Sequence, residues 1–465
     1  MSGPAIIRLG DRSENGRWYV VFGSGPSGYV SPGSQQFLGI TEHNNKNFGG
    51  TPSGNRGDLR LFVYDLKNGT PLRTINAVDS YSDLYAAFAG TMVNGAIDLD
   101  QNLPSSNGFY QDDAVYFGYT TRANLGSTYT VRGGGGNTIR LADGSSDTAG
   151  FYNGQFIHRY DGSHETKLIT AYSGSGGTPT HNATVDSNWD DAAPTAASPA
   201  TTYNIFPGWT DGGVLRLLTK QNQDPAQWVL SRVISGIGPV TAAVTKLQNY
   251  KDKELRLFFG TGRYFYKIDQ VIDDAFSQRK LYGVVEPCYD SSGINLLCNA
   301  ASTALTVSEG ALGNASTSAG STDAQGWYIN LDLCVNSSNT AVACSDPTAV
   351  FRTERLVTDP LAITTGAVFF TTSSPTADIC EYGGQSHLWG VNYETGGSLA
   401  GSGVLKGKAI VQVSTGSIEE VDLSTAFTER EGRRSEPMQG LPPSGGLSII
   451  VPPKPIDKIL HIRKQ

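Results

Sequence analysis

Charge is in short supply in this chain of 465 residues: Asp, Glu, Lys and Arg make up only 17% of it, against a usual ~25%. The 43 acidic residues outnumber the 35 basic ones, for a formal net charge of −8. No basic stripe is present to displace counterions from phosphates, so nucleic acid is not an expected partner. The cluster Arg430, Arg433 and Arg434 is interleaved with Glu429, Glu431 and Glu436 and reads as a solvated mixed patch. Methionine is scarce, and Ala/Leu/Glu/Lys runs at helical spacing are few, which argues against a helical protein. No stretch of 18 apolar residues occurs, so no transmembrane helix is expected. Met1-Ser-Gly-Pro-Ala leads directly into Ile6-Ile7, without the basic region and apolar core of a secretory signal.

Catalytic signatures are missing as well. There is no GxSxG, HExxH, CxxCH or phosphate-binding loop, and no sialidase-type Asp box. The histidines at 43, 158, 164, 181, 387 and 461 are scattered along the chain. The expectation is a protein that is not an enzyme.

What is present points to β-structure. Glycine contributes 56 residues and proline 22, with Tyr, Phe, Thr, Val and Ser plentiful. β-Branched and aromatic side chains suit a pleated, half-buried surface, and glycines supply the positive φ of tight turns. One unit recurs four times: an apolar strand, a glycine, then a second strand ending in a polar turn. Trp18-Tyr-Val-Val-Phe-Gly is followed by Leu59-Arg-Leu-Phe-Val-Tyr-Asp, and Ala114-Val-Tyr-Phe-Gly-Tyr by Gln155-Phe-Ile-His-Arg-Tyr. Leu255-Arg-Leu-Phe-Phe-Gly is followed by Tyr264-Phe-Tyr-Lys-Ile-Asp, and Gly366-Ala-Val-Phe-Phe-Thr-Thr by Ser386-His-Leu-Trp-Gly-Val-Asn-Tyr. A β-sandwich shares this strand grammar but not the fourfold recurrence. The fold expected is therefore an all-β, irregular β-propeller with long insertions. Gly133–Gly136, Ser173–Pro199 and Ala300–Thr322 read as long surface loops. The propeller is expected over residues 1–428, with a polar and then proline-rich tail over 429–465.

Five cysteines bear on the compartment. Cys288 and Cys298 are ten apart, as are Cys334 and Cys344, and each pair brackets a turn-rich segment. Two disulfide-closed loops are the simplest reading, each worth roughly 3 kcal/mol; five free thiols in a reducing compartment are the alternative. Cys380 is left over. Disulfides need an oxidising compartment, so the chain is expected to be the C-terminal part of a longer secreted protein.

The strongest ligand-binding candidate is the stretch from Ile97 to Tyr116. Asp98, Asp100 and Asn102 place oxygens at alternating positions, as a hard cation such as calcium wants. Asp112 or Asp113 could close the shell just before the next strand. An acidic surface loop with local side-chain turns explains the same residues equally well. A second acidic cluster, Asp186 to Asp191, reads as a solvated loop. Arg56-Gly57-Asp58 is an RGD tripeptide in a loop, a possible adhesion motif. Gly57 for a turn and Asp58 for a cap account for it more simply.

Taken in order, several stretches resemble the C-terminal β-propeller domain of the PilY/PilC family of type IV pilus assembly factors and tip adhesins. They are Gly16-Arg-Trp-Tyr-Val-Val-Phe-Gly-Ser-Gly25, Leu61-Phe-Val-Tyr-Asp-Leu66, Asp113-Ala-Val-Tyr-Phe-Gly118 and Pro239-Val-Thr-Ala-Ala243. Further along come Leu257-Phe-Phe-Gly-Thr-Gly-Arg-Tyr264, Leu281-Tyr-Gly-Val284 and Gly326-Trp-Tyr-Ile-Asn-Leu331. The series closes with Glu354-Arg-Leu-Val-Thr-Asp-Pro360, Ala367-Val-Phe-Phe-Thr-Thr372 and Gly383-Gly-Gln-Ser-His-Leu-Trp389.

The resemblance implies a calcium-binding propeller at the pilus tip or cell surface, reached through the periplasm. It implies minor pilins as partners, a possible surface or host-cell receptor, and a role in pilus assembly, twitching motility and attachment. Asp98, Asp100 and Asn102 match the start of the family's calcium loop and Asp113 its end, but Leu103 to Asp112 are extra residues. Family strands upstream of Trp18 are missing, so fewer complete blades are expected on the N-terminal side. Two other classes remain open. A quinoprotein-like propeller enzyme would need an adjacent cysteine pair that this chain lacks, and a structural surface or filament subunit would suit the Gly/Thr/Ser-rich loops.

Overall fold

The computed structural model describes residues 2–10, 16–25, 59–84, 87–99, 110–121, 128–160, 166–176, 178–189, 192–206, 209–249, 254–263, 278–290, 293–294, 305–317, 319–344, 346–376, 383–399, 405–414, 417–443 and 445–450. Those residues are almost entirely strand and turn, with one short α-helical turn at Leu423–Ala426 and a few three-residue 3-10 turns such as Pro225–Gln227.

The strands gather into a series of sheets that follow chain order, antiparallel throughout except where β22 (Gly313–Asn314) joins the third in parallel. The first holds β1 (Ala5–Leu9), β2 (Arg17–Gly23), β3 (Arg60–Asp65) and β4 (Pro71–Asn76), paired in that order. The second holds β5 (Phe88–Ala89), β6 (Ala96–Ile97) and β7 (Ala114–Thr121). An insertion then intervenes: β8 (Tyr129–Thr130), β9 (Gly133–Gly135), β10 (Thr138–Arg140), β11 (Phe156–Tyr160), β12 (Thr166–Tyr172), β13 (Asn182–Val185) and β14 (Thr202–Phe206). The second sheet resumes with β15 (Asp211–Leu218) and β16 (Val229–Ser235).

The third sheet contains β17 (Thr245–Asn249), β18 (Glu254–Gly260) and β19 (Lys280–Val285). After the small hairpin of β20 (Tyr289–Asp290) and β21 (Gly293–Ile294), β22 (Gly313–Asn314) and β23 (Gly326–Asn330) complete it. A three-stranded patch follows, of β24 (Cys334–Asn336), β25 (Ala341–Val342) and β26 (Ala349–Phe351). The fourth sheet is built on β27 (Arg355–Leu356), β28 (Leu361–Ile363), β29 (Ala367–Ser374) and β30 (Gln385–Asn392). The fifth pairs β31 (Lys408–Ser414) with β32 (Ser417–Asp422). Of the last two strands, β33 (Met438–Gln439) returns to the edge of the fourth sheet and β34 (Leu447–Ile450) to the fifth.

Alternation along the central strands explains how these sheets stack. Successive side chains of a strand point to opposite faces. On β7, Val115, Phe117 and Tyr119 join a core with the first sheet, whereas Ala114 and Tyr116 join a core with the third. On β18, Leu257 and Phe259 pack toward the second sheet, and Phe258 packs with Phe370 and Trp389 of the fourth. On β29, Val368 and Phe370 face the third sheet while Ala367 and Phe369 face Ala409 and Val411 of the fifth. The second, third and fourth sheets thus each share one core with their predecessor and another with their successor. Antiparallel sheets stacked face to face in chain order are the blades of a β-propeller.

Close approach of neighbouring blades demands glycine at particular points. A Cβ on Gly118 would lie 2.2 Å from the carbonyl oxygen of Val240, and one on Gly212 would lie 2.7 Å from that of Gly238, both on the connection that leads from the second sheet to the third. Neither position can accept a side chain without moving backbone.

Four sequence expectations need correction. The stretches around Gly133–Gly136 and Ser173–Pro199 are not simply loops. They contribute β9 and β13 to a seven-stranded sheet with its own core of Ile139, Ile157, Ile169, Val185, Trp189 and Tyr203. Short strands broken by Ser, Thr and Gly hide the alternation that would have revealed it. Trp189, in the acidic cluster read as solvated, is buried there under the guanidinium of Arg159 at 5.1 Å, and Asp186 accepts the Leu168 amide.

The expected start of a tail at Glu429 is also wrong for residues up to 450. Arg433 and Arg434 are buried. Arg433 donates to the carbonyls of Ala315, Ser316 and Gly396, and Arg434 pairs with Asp332 at 2.6 Å and Glu354 at 3.4 Å. Glu354 also accepts from the indole of Trp389. Carbonyls and carboxylates of two blades thus neutralise what composition reads as a solvated patch. Residues 451–465 lie outside the described part. At the other end, β1 precedes the Trp18 motif and gives the first sheet its full four strands.

Asp211 is paired with Thr121 in the register of β15 on β7, so the two ends of the insertion are neighbours. Replacing residues 128–206 by a short Gly/Ser turn is expected to leave the blades folded, because among the described residues the four cores that join them contain no residue of the insertion. Near-unchanged cooperativity and midpoint in thermal unfolding followed by circular dichroism would agree with this; a chain without a cooperative transition would refute it.

Candidate functional site

The acidic stretch forms the connection between β6 and β7, whose pairing Ile97↔Ala114 closes its neck. Two carboxylates tie the neck across itself. Asp113 accepts the Leu99 amide at 2.7 Å, and Asp98 accepts the Gln111 amide at 2.9 Å. Asp113 further accepts from the side-chain amide of Gln221 at 2.9 Å, and its own amide donates to the Ile97 carbonyl. Asp98, Asp112 and Asp113 are all buried.

Three blades meet at this neck. From the first, the Arg8 amide donates to Asp112 at 2.7 Å and the Gly10 amide to Gln111 at 2.8 Å. The second contributes the turn after β15, where the Thr219 hydroxyl donates to the carbonyls of Asp112 and Asp113. From the third, Gln248 donates to the Leu99 carbonyl at 2.8 Å, and the Lys246 ammonium donates to the carbonyls of Asn94 and Ala96. Burial pushes the Asp112 carboxyl above its ordinary range, against the Arg8 amide and the Tyr110 hydroxyl, which favour the anion. Burial also lowers Lys246 to about 8, partly offset by Asp112.

Asp98 and Asp113, expected from the sequence as ligands, are brought together, while Asp100 and Asn102 lie outside the described residues. Among the described residues no group of three or more His, Cys, Asp or Glu forms a metal cage. The oxygens of Asp113 already accept two N–H groups, although a carboxylate has further lone pairs. What the described residues build is therefore the clasp of a loop and not, by themselves, the coordination shell of a calcium ion. Thr219, Gln221, Lys246 and Gln248 carry no signal in the sequence, because their roles depend on which blades become neighbours.

Other expected sites divide likewise. Cys334 and Cys344 are disulfide-bonded, with Cα atoms 5.1 Å apart, across the β24–β25 hairpin. Cys288 is buried and disulfide-bonded, whereas Cys298 and Cys380 lie outside the described residues. Arg56, Gly57 and Asp58 lie outside them too. Among the described residues no helix is long and apolar enough to cross a membrane.

Neither a family model nor a curated relative matches this chain. Among solved structures, it is similar to the Pseudomonas aeruginosa PilY1 C-terminal domain at 16% identity and a TM-score of 0.43, covering 96% of this chain and 67% of that one. The stacking of the sheets, not that likeness, defines the fold.

Asp113→Ala would leave the Leu99 amide without its acceptor inside a buried neck, a loss of about 1–3 kcal/mol. Urea unfolding should show that drop, with exposed Asp143→Ala as the control. A cost for Asp113→Ala no larger than the control's would refute the clasp.

Proposed function

We propose that this chain is the β-propeller part of a type IV pilus-associated assembly and attachment factor, acting by binding and not by catalysis. One observation carries the reading. Most of the stretches that resemble the PilY/PilC family fall, in order, on strands of successive blades: β2 and β3 of the first, β7 of the second, β18, β19 and β23 of the third, β29 and β30 of the fourth; residues 239–243 lie on the connection between the second and third. The shared residues are thus spread through the framework and not confined to one strand-and-turn pattern. Minor pilins at the pilus tip are the partners in this reading, and the location is the cell surface.

A calcium ion on the loop between Asp98 and Asp113 belongs to the same proposal. Asp98 and Asp113, held at the neck, would supply oxygens together with Asp100 and Asn102. The ion would neutralise the loop's carboxylates and fix its shape.

Removing the chain from its source cell should abolish surface pili, measured in sheared fractions, and re-expression should restore them. Unchanged piliation would overturn the pilus reading. Separately, calcium should raise the thermal midpoint of the wild-type chain relative to chelator, and Asp98→Ala should blunt that rise. An equal response in both would overturn the calcium arm alone.

A further inference from the structure

We propose that a groove on the first blade binds carboxylated sugar rings, of the uronic acid class. The groove has a volume of about 590 Å³ and is lined by Gly16, Arg17, Trp18, Asp65, Leu66 and Lys67. That is within the size range of small-ligand sites. Its chemistry is independent of the pilus reading.

The groove has an aromatic floor. Trp18 is 40% exposed at the start of β2, immediately before the buried Tyr19. Arg8, its partner on β1, holds its guanidinium 5.6 Å from the indole centre, which backs the ring and fixes its orientation. Leu66, 43% exposed, extends the apolar surface, and its amide is tied to the Trp18 carbonyl at 2.9 Å. Two large apolar side chains are thus held at the surface by main-chain pairing.

The walls are cationic, and one buried carboxylate arranges them. Asp65 accepts the amides of Lys67 at 2.9 Å and Asn68 at 3.3 Å, shaping the turn that Gly69 completes at φ +72. Its other oxygen lies 3.5 Å from Arg17, a long contact for a guanidinium whose side chain is 43% exposed. Lys67 is exposed and has no ion-pair partner among the described residues. A protein of net charge −8 here presents Lys67 beside an exposed indole, while Arg17 is taken up by Asp65 and the ring of Tyr19.

These groups select by combination. An indole face suits the C–H face of a pyranose, and the ammonium of Lys67 suits a carboxylate on the same ring, while Arg17 stays over the Tyr19 ring at 5.4 Å. A neutral sugar would gain only the stacking, and a small carboxylate only the charge.

The test uses the whole chain and a hyaluronan hexasaccharide, which alternates glucuronic acid with a neutral ring, in titration calorimetry. The expected result is saturable, salt-sensitive binding, at least about tenfold weaker in Trp18→Ala and in Lys67→Glu. Lys67 sits on an exposed turn, so K67E keeps the test valid should W18A unfold. Neutral maltohexaose should bind more weakly than the hexasaccharide. Absence of saturable binding, unchanged affinity in K67E, equal affinity for maltohexaose, or preferential binding of a single-stranded oligonucleotide would each overturn the proposal.

Discussion

Burial of the central strands on both faces is the constraint from which the rest of this molecule follows. A strand such as β7 or β29, buried along its whole length, cannot belong to a sheet with a wet side. Each of its two residue sets must find a separate apolar partner, and the only partners of matching width are the neighbouring sheets. Blade therefore packs on blade, in the order in which the chain makes them. The glycines at 118 and 212 belong to the same constraint, since they mark where backbone of one segment lies against backbone of the next. Buried arginines do too: Arg433 and Arg434 occupy a seam between blades because carbonyls and carboxylates there replace the water they lose.

The same stacking creates the candidate functional surfaces. The acidic connection between β6 and β7 owes its shape to a neck held by groups from three blades. None of those groups could act before the blades are assembled. Loop geometry and blade packing are thereby coupled, so a change in the loop is felt at a junction and not only at the surface. The groove at Trp18 is placed differently. Among the described residues its lining comes from the first blade, on the adjacent strands β2 and β3 and the turn after β3.

Much of the fold could be read directly from residues, because two-faced burial leaves continuous apolar runs such as Ala367-Val-Phe-Phe. The recurrence of those runs pointed to stacked blades. The inserted sheet is hidden in the sequence because its strands are short and its core residues stand among Ser, Thr and Gly, where composition suggests loop. Arg430 to Arg434 misled for the opposite reason: charge in sequence suggests solvent, while pairing that neutralises charge is visible only in three dimensions. In the acidic connection, spacing singles out Asp98 and leaves Asp112 and Asp113 as alternatives, whereas Lys246 and Gln248, which reach the same neck, lie more than a hundred residues away. The pairing of Cys334 with Cys344 was legible because the two are close in sequence and face each other across a hairpin.

The central claim is that consecutive residues of one strand serve two different cores. Phe258 and Phe259 test it most directly, since both are fully buried, Phe258 toward the fourth sheet and Phe259 toward the second. Chemical denaturation of Phe258→Ala and Phe259→Ala should show that each costs about 3–5 kcal/mol. If either substitution costs less than about 0.5 kcal/mol, as at an exposed position, the strand has one wet face and the stacked-blade account is contradicted.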